Sequence, residues 1–263
     1  MNLIDQTFKA LKKRKKKALV AYLAAGYPRF KEQEKIIAAL EQGGVDVLEL
    51  GIPFSDPIAD GPTIQFASQK SLDNGTTLAR IFKWVRTFRS KVKMPIVFMS
   101  YLNPIDAYGV ERFARDAKAA GVQGLIVPDM IPEEAGELRK TLKRHNVHLI
   151  HLVAPTTPAP RQKKVAALSS GFLYAVSVRG VTGARTKLPV ETKGWLARLR
   201  KQSRVPLCVG FGISGPDQVK ALKSSVDGFI VGSALIDLIR KTTVSKRSQA
   251  VRQFAARLNK ECM

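Results

Sequence analysis

The chain has 263 residues, 45% of them hydrophobic, which is ample for one large α/β unit or two small ones and excludes a disordered polymer. Its 44 Lys and Arg against 21 Asp and Glu give a formal charge of +23, enough to attract polyanions, yet no zinc-finger, RNP or basic-zipper pattern accompanies it, so no specific nucleic-acid role is expected. Two cysteines, Cys208 and Cys262, without metal or redox spacing argue against a disulfide framework and for a reducing, cytoplasmic setting; no apolar run approaches the roughly 18 residues that span a bilayer.

In chain order, residues 3–11 read as an amphipathic helix with Leu3, Ile4, Phe8 and Leu11 on one side. The run Lys12 to Lys17 (KKRKKK) and the apolar stretch Ala18 to Gly26 together have the look of a secretory signal. Cleavage near Gly26 would discard the first strand, so the stretch is read as structure and the basic run as a solvated surface. Apolar, β-branched runs then recur as strands: Leu19–Ala24, Val45–Leu50, Pro95–Tyr101, Gly124–Val127, His148–Val153, Phe172–Val178, Pro206–Gly210 and Gly228–Val231. Between them lie amphipathic stretches, Lys31–Gln42, Leu78–Ser90, Gly109–Ala120, Pro132–His145, Ala159–Ser169, Val190–Gln202 and Gly215–Ser224, with Ser245–Lys260 at the end. Eight strand-helix repeats in about 250 residues predict a (β/α)₈ TIM barrel with an extra N-terminal helix, a doubly wound open sheet being the alternative. Extra chain follows the second and sixth strands, on the face where barrel enzymes elaborate their active sites. No linker divides the chain, so residues 1–263 read as a single domain.

Chemistry concentrates in Val47–Gln65 (VLELGIPFSDPIADGPTIQ), where Glu49 interrupts an apolar strand. An ionised carboxylate buried there costs several kcal/mol unless paired, and no predicted strand carries a Lys or Arg in its interior. Desolvation without a counter-ion raises its pKa toward neutrality, which suits a general acid/base; the bland alternative is a Glu at a frayed strand end with its head in water. Alternation along the strand puts Val47 and Glu49 on the barrel's inner face and Leu48 and Leu50 against the helices. Asp60 precedes Gly61-Pro62, a helix start, and could serve merely as that helix's cap. Small-residue turns follow the last three strands, at Gly180–Gly183, Gly210–Ser214 and Gly232–Ala234, and suit a phosphate group. His148 and His151, three apart on one predicted strand, face opposite ways and hold no shared metal, while Tyr22, Tyr101 and Tyr174 could be core or ligand contacts.

These segments, Glu49–Gln65 with Gly180–Arg185 (GVTGAR), Val209–Gly215 (VGFGISG) and Val231–Ala234 (VGSA), resemble the α subunit family of tryptophan synthase, in order and over essentially the whole chain. The resemblance implies a (β/α)₈ barrel that cleaves indole-3-glycerol phosphate by a retro-aldol reaction to indole and glyceraldehyde 3-phosphate, with no cofactor or metal of its own. It implies Glu49 as the acid/base and Asp60 as the carboxylate that holds the indole N–H. Gly183, Gly212, Gly232 and Ser233 fall on the phosphate positions, and Tyr22, Tyr101, Tyr174, Thr182 and Phe211 on substrate contacts, Thr182 being the lid threonine. Tyr22 departs from the family, which often has Phe there. It further implies a pyridoxal-phosphate β subunit as partner in an α₂β₂ complex, receiving indole through a tunnel and docking near Pro53, Asp56, Asn103, Pro104, Asp129 and Pro132. Other readings are an activator of β without efficient cleavage, a sugar-phosphate isomerase or epimerase barrel, and charge-driven nucleic-acid binding.

Overall fold

The computed structural model describes residues 1–176, 190–210 and 212–263. Helix α1 (Leu3–Lys13) is followed by β1 (Ala18–Ala24), α2 (Phe30–Gln42), β2 (Val47–Gly51), α3 (Pro62–Asp73), α4 (Leu78–Phe88) and β3 (Ile96–Met99). The middle of the chain forms α5 (Leu102–Tyr108), α6 (Val110–Ala119), β4 (Gly124–Ile126), α7 (Gly136–Arg144), β5 (His148–Ile150), β6 (Leu152–Val153), α8 (Ala159–Leu168) and β7 (Leu173–Val176). The last part forms α9 (Val190–Gln202), β8 (Leu207–Gly210), α10 (Pro216–Leu222), β9 (Gly228–Val231), α11 (Ser233–Lys241) and α12 (Arg247–Cys262).

All strand pairs are parallel, in the order β5-β4-β3-β2-β1-β9-β8-β7-β6. The two ends of that order are halves of one strand separated only by His151, so the sheet meets itself and the barrel closes. The predicted continuous strand His148–Val153 is thus corrected. The His151 N–H turns to Ser169 Oγ (3.2 Å) instead of a neighbouring strand, and the halves pair with different partners, β5 with β4 and β6 with β7.

Two apolar layers follow from the period of two. Leu48 and Leu50 point outward into the layer shared with the helices, whereas Val20, Val47, Val97, Ile126, Ile150, Cys208 and Ile230 fill the barrel. Helix α1 plugs the N-terminal end of the barrel with Ile4, Phe8 and Leu11, and the Phe8 and Phe172 rings lie 5.8 Å apart. Asn2 fixes this plug: its Oδ1 accepts from the Ile4 N–H while its Nδ2 donates to the carbonyls of Gln123 (2.9 Å) and Asn146 (2.8 Å). Among the described residues no helix is long and apolar enough to cross a membrane.

Other boundaries shift for local reasons. Strand β3 stops at Met99, and Tyr101 becomes the N-cap of α5, so it does not lie in a strand. The helix expected from Pro132 begins only at Gly136, after turns through residues 132–135. The extra chain after the sixth predicted strand includes residues 177–189, which lie outside the described residues.

Candidate functional site

Glu49 sits on the inner face of β2 with 1% of its surface exposed, beside Tyr22 of β1 and Val97 of β3 in register. Its Oε2 has no hydrogen-bond partner among the described residues. Loss of hydration, with a smaller contribution from the negative charge of Asp60, pushes its pKa up to about 8. Near neutral pH the carboxyl therefore holds a proton that it can give up and take back.

Asp60 ends the loop that follows β2. Its pKa rises to about 6, chiefly through burial, against the opposing effect of a hydrogen bond from the Tyr101 hydroxyl. The cap alternative is corrected: α3 is capped by Gly61, with no side-chain cap bond, and Pro62 stands at its start. Several contacts pin this loop. The Asp60 carbonyl accepts from Gln65 Nε2 (2.8 Å), Tyr101 Oη accepts from the Ala59 N–H (3.0 Å), and Ser68 Oγ accepts from the Phe54 N–H (3.1 Å). The Phe54 and Tyr101 rings lie 5.4 Å apart. Gln65 and Ser68 escaped the sequence reading because only the fold shows that α3 folds back to brace the loop before it.

Tyr22 and Tyr174 flank the two acids. Tyr22 is buried and Tyr174 half-buried, and both phenols are pushed well above their ordinary range, first by lost hydration and then by nearby negative charge, that of Glu49 and Asp60 included, so they remain neutral donors. Glycine makes room for both rings: a Cβ at Gly51 would run into the Tyr22 ring and hydroxyl, and one at Gly210 would lie 2.6 Å from Tyr174 Oη. Tyr22 also packs on Gly232, which opens α11 just ahead of Ser233. The first amides of that helix have no intrahelical acceptor. Gly212 takes the left-handed conformation (φ 65°), and Gln218 Oε1 accepts from the N–H groups of Ser214 (2.7 Å) and Gly215 (3.2 Å), fixing the turn after β8. Thus Tyr22, Glu49, Asp60, Tyr101 and Tyr174 converge, with the Gly212 and Gly232 turns at the same C-terminal end of the strands. Thr182, Gly183 and Phe211 lie outside the described residues.

The model for the family "Tryptophan synthase alpha chain" matches residues 8–262. The chain belongs to the tryptophan synthase alpha chain family. Similar relatives with that name include those of Geotalea daltonii, 49% identical over 90% of this chain and 89% of the relative, and of Geobacter sulfurreducens, 45% identical over 98% of both. Among solved structures, tryptophan synthase subunit alpha from Legionella pneumophila str. Paris superposes with a TM-score of 0.92 at 37% identity, over 100% of this chain and 98% of that one. A tryptophan synthase chain from Mycobacterium tuberculosis gives 0.89 at 34% identity, over 98% and 97%. The tryptophan synthase alpha family cleaves indole-3-glycerol phosphate to indole and glyceraldehyde 3-phosphate, and this chain is a carbon–carbon lyase of tryptophan biosynthesis.

The remaining positions singled out by family resemblance ring the same end of the barrel. Pro53 is buried, Pro104 and Pro132 are half-buried, and Asp56, Asn103 and Asp129 are exposed. The Asp129 carboxylate accepts from the Leu102 N–H (3.0 and 3.2 Å), tying the loop after β4 to the start of α5. His148 lies against Asp5 (3.0 Å), and burial drives His151 down to about 4, neutral at physiological pH. Among the described residues no group of three His, Cys, Asp or Glu side chains could hold a metal.

Proposed function

We propose that the chain carries out this cleavage with Glu49 as the proton-exchanging group and Asp60 as the fixed anion. Protonated Glu49 donates to indole C3, which loses aromaticity and places positive charge on the ring nitrogen. Asp60, ionised above about 6, accepts the indole N–H and stabilises that charge. The glycerol hydroxyl next to the scissile bond then gives its proton to the Glu49 carboxylate, the carbonyl of glyceraldehyde 3-phosphate forms, and the bond's electrons return to the ring. Tyr22, Tyr101, Tyr174, Thr182 and Phe211 line the substrate, and backbone amides at Gly183, Gly212, Gly232 and Ser233 hold its phosphate.

The observation that carries this reading is the burial of Glu49, 1% exposed and with Oε2 lacking a partner among the described residues, close enough to Asp60 to feel its charge; burial raises the two acids to different extents, toward about 8 and about 6, with no cation among the causes. The test is Glu49→Gln: indole release falls by at least a thousandfold while glycerol 3-phosphate still binds. Retention of near-normal turnover would reject the assignment.

The same reading extends to a pyridoxal-phosphate β subunit that takes up indole in a cytoplasmic α₂β₂ complex. Supporting it, the loops around Pro53, Asp56, Asn103, Pro104, Asp129 and Pro132 carry Asp56, Asp106, Asp129, Glu133 and Glu134 but no Lys or Arg in 51–69, 95–111 or 119–138. Exposed Ile58 and Ile131 stand among them. The basic excess thus lies away from this rim, leaving it apolar and acidic, a surface suited to association.

A further inference from the structure

The opposite end of the barrel carries chemistry that the cleavage reaction does not use. A cleft of about 420 Å³ opens there between the end of α1, the residues entering β1, the end of α9 and the residues entering β8 and β9. Its rim holds Lys12, Lys15, Lys16, Lys17, Arg200 and Arg204, so four of the six residues of the KKRKKK run, a largely solvated stretch, border a concave surface. Its floor is apolar, made by Phe8, Leu11, Val205 and Pro206. Two of the six cations are already neutralised, Lys16 by Asp46 (2.8 Å) and Arg200 by Asp227 (2.7 Å). Lys12, Lys15, Lys17 and Arg204 form no ion pair among the described residues.

Basic residues in the last turn of α1 also favour the negative end of that helix, which accounts for Lys12. It does not account for the other three. Lys15 occupies the left-handed region (φ 56°) in the turn that ends α1, with its N–H on the Lys12 carbonyl and the Lys16 N–H on the Leu11 carbonyl. Glycine is the residue that suits such a position, so lysine is held there at a conformational cost, exposed and at the border of the cleft. Lys17 is half-buried, and its pKa is lowered by lost hydration and by the repulsion of Arg200 and Lys223, despite the pull of Asp227. Lys12, Lys15 and Arg204 are exposed, and a like-charged cluster around a concave surface concentrates its field on the space between its members.

We propose that this cleft at the N-terminal end of the barrel is a second anion site, distinct from the catalytic end, that takes a nucleotide-sized phosphate ester with its charged groups on Lys12, Lys15, Lys17 and Arg204 and its apolar body on the Phe8–Pro206 floor. The apolar floor and the short, concave shape of this open cleft favour a small amphiphilic polyanion over the backbone of a nucleic acid, which would need a long open stripe.

The test is calorimetric titration of ATP into the full chain, with glycerol 3-phosphate in excess to occupy the catalytic end. The expected result is one saturable ATP site per chain that weakens as salt is raised. The double variant Lys15→Gly with Arg204→Gln should weaken it at least tenfold with cleavage unchanged. Lys15→Gly is compatible with the turn, and Arg204 is exposed, so the fold is expected to survive. A control of equal charge, Lys83→Gln with Lys140→Gln, removes two exposed cations elsewhere and should bind ATP as the native chain does. The proposal is overturned if ATP fails to saturate at millimolar concentration or if the control loses as much affinity as the cleft variant. It is also overturned if a DNA duplex binds many chains per duplex with no weakening in the cleft variant.

Discussion

Replacing Glu49 by Gln removes one ionisable group and nearly preserves shape, so it isolates the electrostatic cost of that position. The native carboxyl titrates at about 8 in the fold against an ordinary value of 4.5. Below 4.5 both folded and unfolded chains hold the proton and the group has no effect on the pH dependence of stability. Between 4.5 and about 8 the folded chain keeps a proton that the unfolded chain has released, so native stability falls as pH rises through this window. Above about 8 the penalty is complete, and at about 1.4 kcal/mol per pH unit it amounts to roughly 5 kcal/mol. The Gln variant does not experience it. Urea unfolding of both proteins at a series of pH values from mildly acidic to mildly alkaline should show the variant gaining on the native chain by several kcal/mol across that range. A difference that stays flat within about 0.5 kcal/mol would mean that Glu49 is solvated or paired, and the reasoning about its burial would fail.

Further outcomes follow from the same site. The pH profile of kcat/KM for cleavage should be a bell, rising as Asp60 ionises through about 6 and falling as Glu49 ionises through about 8; a flat profile across that interval contradicts the two roles. Tyr101→Phe removes the hydrogen bond that lowers the Asp60 pKa, so the acid limb should move to higher pH, with at most about 1 kcal/mol lost in unfolding experiments. Movement of that limb to lower pH is the refuting result. Gly210→Ala places a Cβ against Tyr174 and should lower stability by about 1–3 kcal/mol and slow cleavage, measured together on one preparation; an unchanged protein would show that the ring can move aside. Ile58→Asp, at a residue 83% exposed on the loop after β2, should weaken association with a β subunit at least tenfold in sedimentation experiments and leave the melting curve unaltered; unchanged association removes this loop from the docking surface.

The repeat of eight apolar runs and the amphipathic stretches between them determined an alternating parallel α/β architecture, because a strand covered on both faces must be apolar throughout and its connecting helix must be apolar on one side. The local alternation also separated Val47 and Glu49 from Leu48 and Leu50, so the inward direction of the acid was legible from its neighbours. Tertiary structure alone decided what surrounds that acid: the Tyr101 hydroxyl on Asp60, the brace of Gln65 and Ser68, and the glycines at 51 and 210 that admit two rings. It alone decided, too, that the break at His151 closes the sheet and that a lysine run beside β1 meets arginines near β8 in one cleft. The reason is physical. Periodicity is a property of a segment and its own solvent exposure, whereas a hydrogen bond, a dehydrated carboxyl or a cluster of like charges depends on residues distant in the chain, whose meeting is set by how the layers pack.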